Sequence, residues 1–239
     1  MRTVYNDSVL QRDYTILPGS DVLTVKTRVD FHEKHRTLKF AFPADSDEII
    51  ASIPYGTISR RKGLGEEPCG SWFAAGRMCI ANDSKYGYDT TNEEVRLTVL
   101  RSAIWADHFG VRDEFCEYME QGVHEFSYSI FPYTDNCEAE KKAEELNTGL
   151  RAVMDSFHNG SLPERRSCFK CDGKNIIVTA VKQGEDGTGD VLRFCEMNGG
   201  QEEVTITLFD ETIKTMVQHN EIRTFRSDGT EVNLIEWTE

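Results

Sequence analysis

The chain has 239 residues, and its 27 Lys and Arg against 41 Asp and Glu leave a formal net charge of −14. That balance excludes a nucleic-acid grip, which needs cations to displace counterions from phosphates, and disfavours an anionic membrane surface for the same reason. Apolar residues make up 38% and aromatics 10%, which supports a packed core rather than disorder, and at roughly 100–200 residues per domain the length allows one large domain or two modest ones.

Along the chain the pattern is mostly period two. Residues 22–31 (Val-Leu-Thr-Val-Lys-Thr-Arg-Val-Asp-Phe) alternate with β-branched side chains, and 37–43 follow after a polar break, which predicts two strands joined at His32–Arg36. Further strands are expected at 48–53, 73–81, 95–101, 123–131, 175–182, 190–195, 203–209 and 231–237. Turn residues punctuate them at Pro54-Tyr55-Gly56, Glu185-Asp186-Gly187 and Ser227-Asp228-Gly229. One segment breaks the rhythm: residues 137–147 are rich in helix formers, with Ala139, Ala143 and Leu146 on one face. A polar stretch, Asn159–Arg166, then carries Gly160 and Pro163 and reads as a connector, so a boundary is expected near 150–165. Many short strands and few helices predict an all-β sandwich class.

No apolar run approaches the roughly 20 residues of a membrane span, and Met1–Asp7 lacks the apolar stretch of an export signal. The expectation is a cytoplasmic chain. Its seven cysteines (69, 79, 116, 137, 168, 171 and 195) are odd in number and without framework spacing, which fits reduced thiols. Under that expectation the sequons at Asn6, Asn82 and Asn159 carry no weight.

Chemistry-bearing motifs are sparse. His32-Glu33-Lys34-His35 has its histidines at i and i+3 within strand-like flanks, whereas a zinc-protease helix needs i and i+4. Cys168-Phe169-Lys170-Cys171 lacks a second thiol pair, so small apolar side chains are expected there rather than a metal site. Neither a Gly-x-Ser-x-Gly elbow nor a phosphate loop is present. The richest cluster is Asn82-Asp83-Ser84-Lys85-Tyr86-Gly87-Tyr88-Asp89. Its amide, carboxylates, ammonium and aromatic faces suit a sugar's hydroxyls and apolar face. Taken alone, the same residues read more simply as a polar hairpin turn with Gly87 at the bend.

Several ordered runs carry a wider likeness. Val29–His35, Ile53-Pro54-Tyr55-Gly56-Thr57-Ile58 and Asn82–Tyr88 resemble the C-terminal half of glycoside hydrolase family 38, the class II α-mannosidases, and most closely its bacterial members. The resemblance continues through Leu97–Ser102, Tyr118–Gly122 and His124–Ser129, and past the connector through Asn175–Lys182 and Glu185-Asp186-Gly187. It covers about residues 10–237. Two core-type departures are Phe31, where the family usually has Trp, and Cys195, where an aromatic is usual.

The resemblance implies residues 1–150 as the later part of a large galactose-mutarotase-like sandwich, 151–164 as connector and 165–239 as a small terminal sandwich. It implies a share in a retaining, zinc-dependent α-mannosidase, whose nucleophilic carboxylate and zinc ligands lie in an α/β barrel that includes a His-x-Asp pair. This sequence has no His-x-Asp and no room before residue 10 for a barrel. Expected here are therefore no catalytic residue, no metal site and no cofactor, with zinc held in the catalytic domain. The implied partners are that barrel, in the same or a separate chain, and a mannose-containing oligosaccharide, with self-association through open sheet edges. Asn82, Asp83, Lys85, Tyr86 and Tyr88 are the implied substrate-binding residues. The competing readings are a stand-alone carbohydrate-binding module and a purely structural sandwich.

Overall fold

The computed structural model describes residues 1–44, 46–104, 117–161, 163–208 and 211–238. Cys116, Leu162 of the expected connector and Phe209 at the end of the expected 203–209 strand lie outside the described residues. The chain divides into two compact units, Met1–Ile53 with Ile58–Thr134 and Glu138–Thr148, and Pro54–Thr57 with Asp135–Cys137 and Gly149–Glu239. Both are built from antiparallel strands, so the all-β expectation holds.

In the first unit the strands are β1 (Arg2–Tyr5), β2 (Ser8–Ile16), β3 (Leu23–Phe31), β4 (Thr37–Pro43), β5 (Glu48–Ile53) and β6 (Gly56–Arg61). They continue with β7 (Glu67–Pro68), β8 (Trp72–Ala75), β9 (Met78–Asn82), β10 (Gly87–Thr90), β11 (Glu94–Arg101) and β12 (Gly122–Pro132), before helix α1 (Asn136–Asn147). An eight-stranded sheet runs β1-β2-β3-β12-β9-β8-β5-β6, and a four-stranded sheet runs β4-β11-β10-β7. β3 shows why the sequence alternates: Val25, Thr27, Val29 and Phe31 are buried while Lys26 and Arg28 face out. Val25, Val29, Phe73, Phe126 and Tyr128 from the larger sheet meet Phe40, Phe42, Tyr88 and Leu97 from the smaller one in a single core. Each such buried side chain contributes roughly 1.5–3 kcal/mol.

β8 and β9 bury both faces. Phe73 and Ile80 enter the sandwich core, while Trp72, Ala74, Cys79 and Ala81 pack under the helix against Ala139 and Ala143. The small alanines let the helix lie close to the sheet, and Trp72 Nε1 donates to Glu140 Oε2 at 2.6 Å. Burial pushes the Glu140 carboxyl up from its ordinary value, against the pull of that hydrogen bond.

β3 and β4 are joined at His32–Arg36 as expected, and that corner carries the chain from one sheet to the other. At that corner Glu33 is buried, accepting from Ser8 Oγ at 2.9 Å and Asn6 Nδ2 at 3.0 Å, and His32 Nε2 lies 2.7 Å from Asp30 Oδ1. Strand 73–81 is in fact β8 and β9, broken by a turn whose Gly76 sits at φ 60°.

The second unit contains β13 (Phe169–Cys171), β14 (Ile176–Gln183), β15 (Asp190–Glu196), β16 (Glu202–Leu208), β17 (Glu211–Val217), β18 (Ile222–Arg226) and β19 (Glu231–Val232). Sheets β13-β16-β17 and β14-β15-β18-β19 enclose Ile176, Leu192, Phe194, Val204, Ile206 and Phe225. Phe194 and Phe225 stack with centroids 5.9 Å apart. Cys195 turns to the opposite face of β15, packing with Cys137, Ile177 and Met197.

Glu196, wholly buried at the end of β15, organises the adjoining turns. Its Oε1 accepts from the backbone N–H of Asn198 (2.9 Å) and Gly200 (3.0 Å), and its Oε2 from those of Gly199 and Asn220 (both 2.9 Å). The expected strand at 231–237 ends at Val232. Asn233 Oδ1 accepts from the N–H groups of Ile235 and Trp237 at 3.0 and 3.1 Å, and this side-chain-closed turn replaces the ladder. Cys168 is exposed rather than buried, whereas Cys171 packs against the core. Gly149–Ser161 contain neither helix nor strand and are exposed throughout.

Candidate functional site

Residues Asn82–Tyr88 form a corner between sheets rather than a hairpin, since β9 belongs to the larger sheet and β10 to the smaller. Asn82 builds the corner. It is fully buried; Nδ2 donates to the carbonyls of Gly70 and Ser71 at 3.3 Å each, and Oδ1 accepts the Lys85 N–H at 2.7 Å. Its own carbonyl accepts from Asn147 Nδ2 of α1 at 3.1 Å. Gly87 is not at the bend; it opens β10 opposite Pro68. A Cβ there would come within 3.1 Å of Glu66 Oε1, so the glycine admits that carboxylate.

The remaining predicted residues point in different directions. Asp83 Oδ2 accepts the Ser127 N–H at 2.7 Å, Oδ1 accepts from Ser84 Oγ at 2.9 Å, and the side chain faces a cleft of about 390 Å³ beside Lys26, Arg28 and Glu125. Tyr88 is core: 1% exposed, stacked on Phe73 with centroids 5.0 Å apart, its phenol pushed up by burial. Lys85 and Tyr86 line a separate cleft of about 430 Å³. Tyr86 is 60% exposed, and its hydroxyl reaches the Asp83 carbonyl at 3.4 Å. Lys85 is half-buried, with Nζ 4.9 Å from the centre of the Phe126 ring. Desolvation holds its ammonium below the ordinary lysine value, while Glu120 and Asp83 pull it back up. The sequence cluster thus divides between two clefts and the core.

The rest of the second cleft comes from residues that sequence reasoning missed. Lys39 of β4, Glu66 before β7, Thr98 and Arg101 of β11 and Glu120 before β12 complete its polar wall. A bulge between Thr98 and Leu100 redirects the end of β11 towards it. Glu66 accepts from Lys39 Nζ and Thr98 Oγ1, and Glu120 accepts the Arg101 N–H. Lys39 also reaches Asp89: its Nζ lies 2.9 Å from Asp89 Oδ2, while Arg96 donates from Nε to Asp89 Oδ1 at 2.7 Å and from Nη2 to Oδ2 at 2.5 Å. Burial acts to raise the Asp89 carboxyl, but the hydrogen bonds and charges of Arg96 and Lys39 outweigh it and hold the group below the usual range. Cross-strand register makes the network: Asp89 pairs with Arg96, and Thr98 with Lys39.

The arrangement offers donors, acceptors and an aromatic face around an open cleft, which suits a polyhydroxylated ligand. It does not offer a metal centre: among the described residues no group of three or more His, Cys, Asp or Glu side chains could hold an ion. Among them, too, no helix is long and apolar enough to cross a membrane.

Comparison with known proteins gives a consistent result. Residues 1–109 match the glycosyl hydrolases family 38 C-terminal domain, and residues 175–236 match the family's C-terminal beta sandwich domain. Alpha-mannosidase G of Dictyostelium discoideum is 32% identical over 127 residues, which are 52% of this chain and 11% of that protein. Alpha-mannosidase 2C1 of Homo sapiens is 24% identical over 213 residues, 81% of this chain and 19% of that protein. The fold is similar to that of an alpha-mannosidase from Enterococcus faecalis V583, with a TM-score of 0.78 at 16% identity over 92% of this chain and 29% of that one. A glycosyl hydrolase family 38 protein from Enterococcus faecalis gives 0.79 at 17%, over 92% and 30%. This chain therefore spans a fifth or less of those curated relatives and under a third of those solved chains. Two domain matches of one family, together covering well over half of the residues, assign the chain to glycosyl hydrolase family 38 as a bearer of its C-terminal β domains.

Proposed function

We propose that the chain is the non-catalytic C-terminal portion of an α-mannosidase, acting beside a catalytic barrel on mannose-containing oligosaccharides. The observation that carries this reading is the match to both C-terminal domains of family 38. In a retaining glycosidase one carboxylate attacks the anomeric carbon while a second carboxyl protonates the leaving oxygen. Those groups, and the zinc that the resemblance implies, belong to the barrel. This chain supplies a rigid sandwich and one polar wall. Lys85 and Tyr86 are the direct sugar contacts: the ammonium donates to hydroxyls and the phenol ring covers an apolar sugar face. Asn82 and Tyr88 position them from the interior, and Asp83 fixes the corner through Ser127.

The half-buried Lys85 supports this assignment, because a cation held over Phe126 within an open cleft keeps donor capacity for a ligand. One wall alone buries too little of a sugar to offset the cost of immobilising it. Mannose should therefore bind the isolated chain more weakly than about 1 mM, or roughly −4 kcal/mol. In a protein joining this chain to a family 38 barrel, Lys85→Ala should lower kcat/KM about tenfold or more, equivalent to about 1.4 kcal/mol. Its stability should change by no more than about 1 kcal/mol. An unchanged kcat/KM would return Lys85 to a structural role, and tight mannoside binding by the isolated chain in calorimetry would favour a stand-alone binding module.

A further inference from the structure

The sequence contains two Asn-Gly pairs, Asn159-Gly160 and Asn198-Gly199, and the structure treats them in opposite ways. Asparagine followed by glycine is chemically unstable, because no Cβ shields the glycine nitrogen from the neighbouring side-chain carbonyl. Reaction requires the nitrogen to be free and the Asn side chain to swing over it.

At Asn198-Gly199 neither condition is met. The Gly199 N–H donates to the buried Glu196 carboxylate at 2.9 Å. The Asn198 side chain is tied at both ends: Nδ2 donates to Asn175 Oδ1 at 2.8 Å and Asp135 Oδ1 at 3.3 Å, and Oδ1 accepts the Asn136 N–H at 3.0 Å. Asn159-Gly160 lies in the exposed stretch without helix or strand. The contact at Asn159 is between its backbone carbonyl and His158 Nδ1, at 3.3 Å. Among the described residues, no hydrogen bond restrains its side-chain amide or the Gly160 N–H.

We propose that Asn159-Gly160 is a site of spontaneous deamidation and isoaspartate formation, and that Glu196 and its neighbours shield Asn198-Gly199 from the same reaction. The Gly160 nitrogen loses its proton to a solvent base and attacks Cγ of Asn159. The Cγ–Nδ2 bond then breaks and ammonia leaves with a proton from solvent, closing a five-membered succinimide. Water opens the ring at either carbonyl. One product is aspartate; the other is isoaspartate, which carries the backbone through the former side chain and adds a methylene to it. Both put a new negative charge into 149–161, and the iso form is the substrate type of enzymes that methylate isoaspartyl carboxylates.

The test is incubation of the full chain at mildly alkaline pH, followed by peptide mapping and by labelling with an isoaspartyl methyltransferase and radiolabelled S-adenosylmethionine. The Asn159 peptide should convert and accept label. The Asn198 peptide should convert more than about tenfold more slowly, because its pair reacts only through local opening. Gly160→Ala should slow the Asn159 reaction about tenfold or more; a Cβ there meets nothing within 4 Å and the site has no left-handed φ, so the fold should be unaffected. In urea the two wild-type sites should react at similar rates. Equal rates in the folded chain, an unchanged rate in Gly160→Ala, or persistent protection of Asn198 in urea would each overturn the proposal.

Discussion

Glu196 shows how one residue can hold several turns. Its two oxygens accept four backbone N–H groups from the loops after β15 and β17. Hydrogen bonds to a charged acceptor are worth about 1.5–3 kcal/mol each when a single partner is removed, and they are not additive. Glu196→Ala should cost at least about 3 kcal/mol in urea unfolding; a loss under about 0.5 kcal/mol would mean that water replaces the carboxylate freely. Asp89 gives a pH signature. Because its folded carboxyl is held below the unfolded value, the stability it contributes is present above about pH 4 and is lost as the pH falls through the folded value. Asp89→Asn should therefore flatten part of the acid limb of stability against pH, and an unchanged limb would contradict the role given to Arg96 and Lys39. The candidate site was only partly legible in the sequence. Lys85 and Tyr86 do meet a cleft, but Asn82 and Tyr88 turn inward, since neighbours in a strand or corner diverge. Glu66, Arg101 and Glu120 arrive from separated stretches through strand register, which composition does not encode.

Among the elements, the most readable were those with a strong period and a buried face. β3, β4, β5, β11 and β12 lie within a residue of expectation, and α1 presents Ala139 and Ala143 to the sheet as its spacing implied. β1 and β2 were missed because their side chains are largely exposed, which leaves little apolar alternation to read. β17 alternates well and was overlooked, although Ile213 and Val217 are buried. The helix–sheet contact can be tested through Trp72. Trp72→Phe keeps most of the apolar contact with Ala139 but removes the indole donor from Glu140. It should cost about 1–3 kcal/mol in thermal or urea unfolding. A neutral result would show that Glu140 finds another partner or protonates without loss, as its raised carboxyl permits.

At the scale of the whole molecule, the chain folds as two β units, the second of which includes the exposed 149–161 stretch without helix or strand. It carries the C-terminal β domains of family 38, and its first unit holds a polar cleft. In the proposed division the core supplies stability, the corner supplies recognition and the bond-breaking groups belong to the barrel. The most direct test of that division is hydrolysis of an aryl α-mannoside by the purified 239-residue chain, assayed with and without added zinc. The predicted result is no turnover under either condition. Turnover that is lost on chelation and restored by zinc would contradict the account by placing the catalytic centre within these residues.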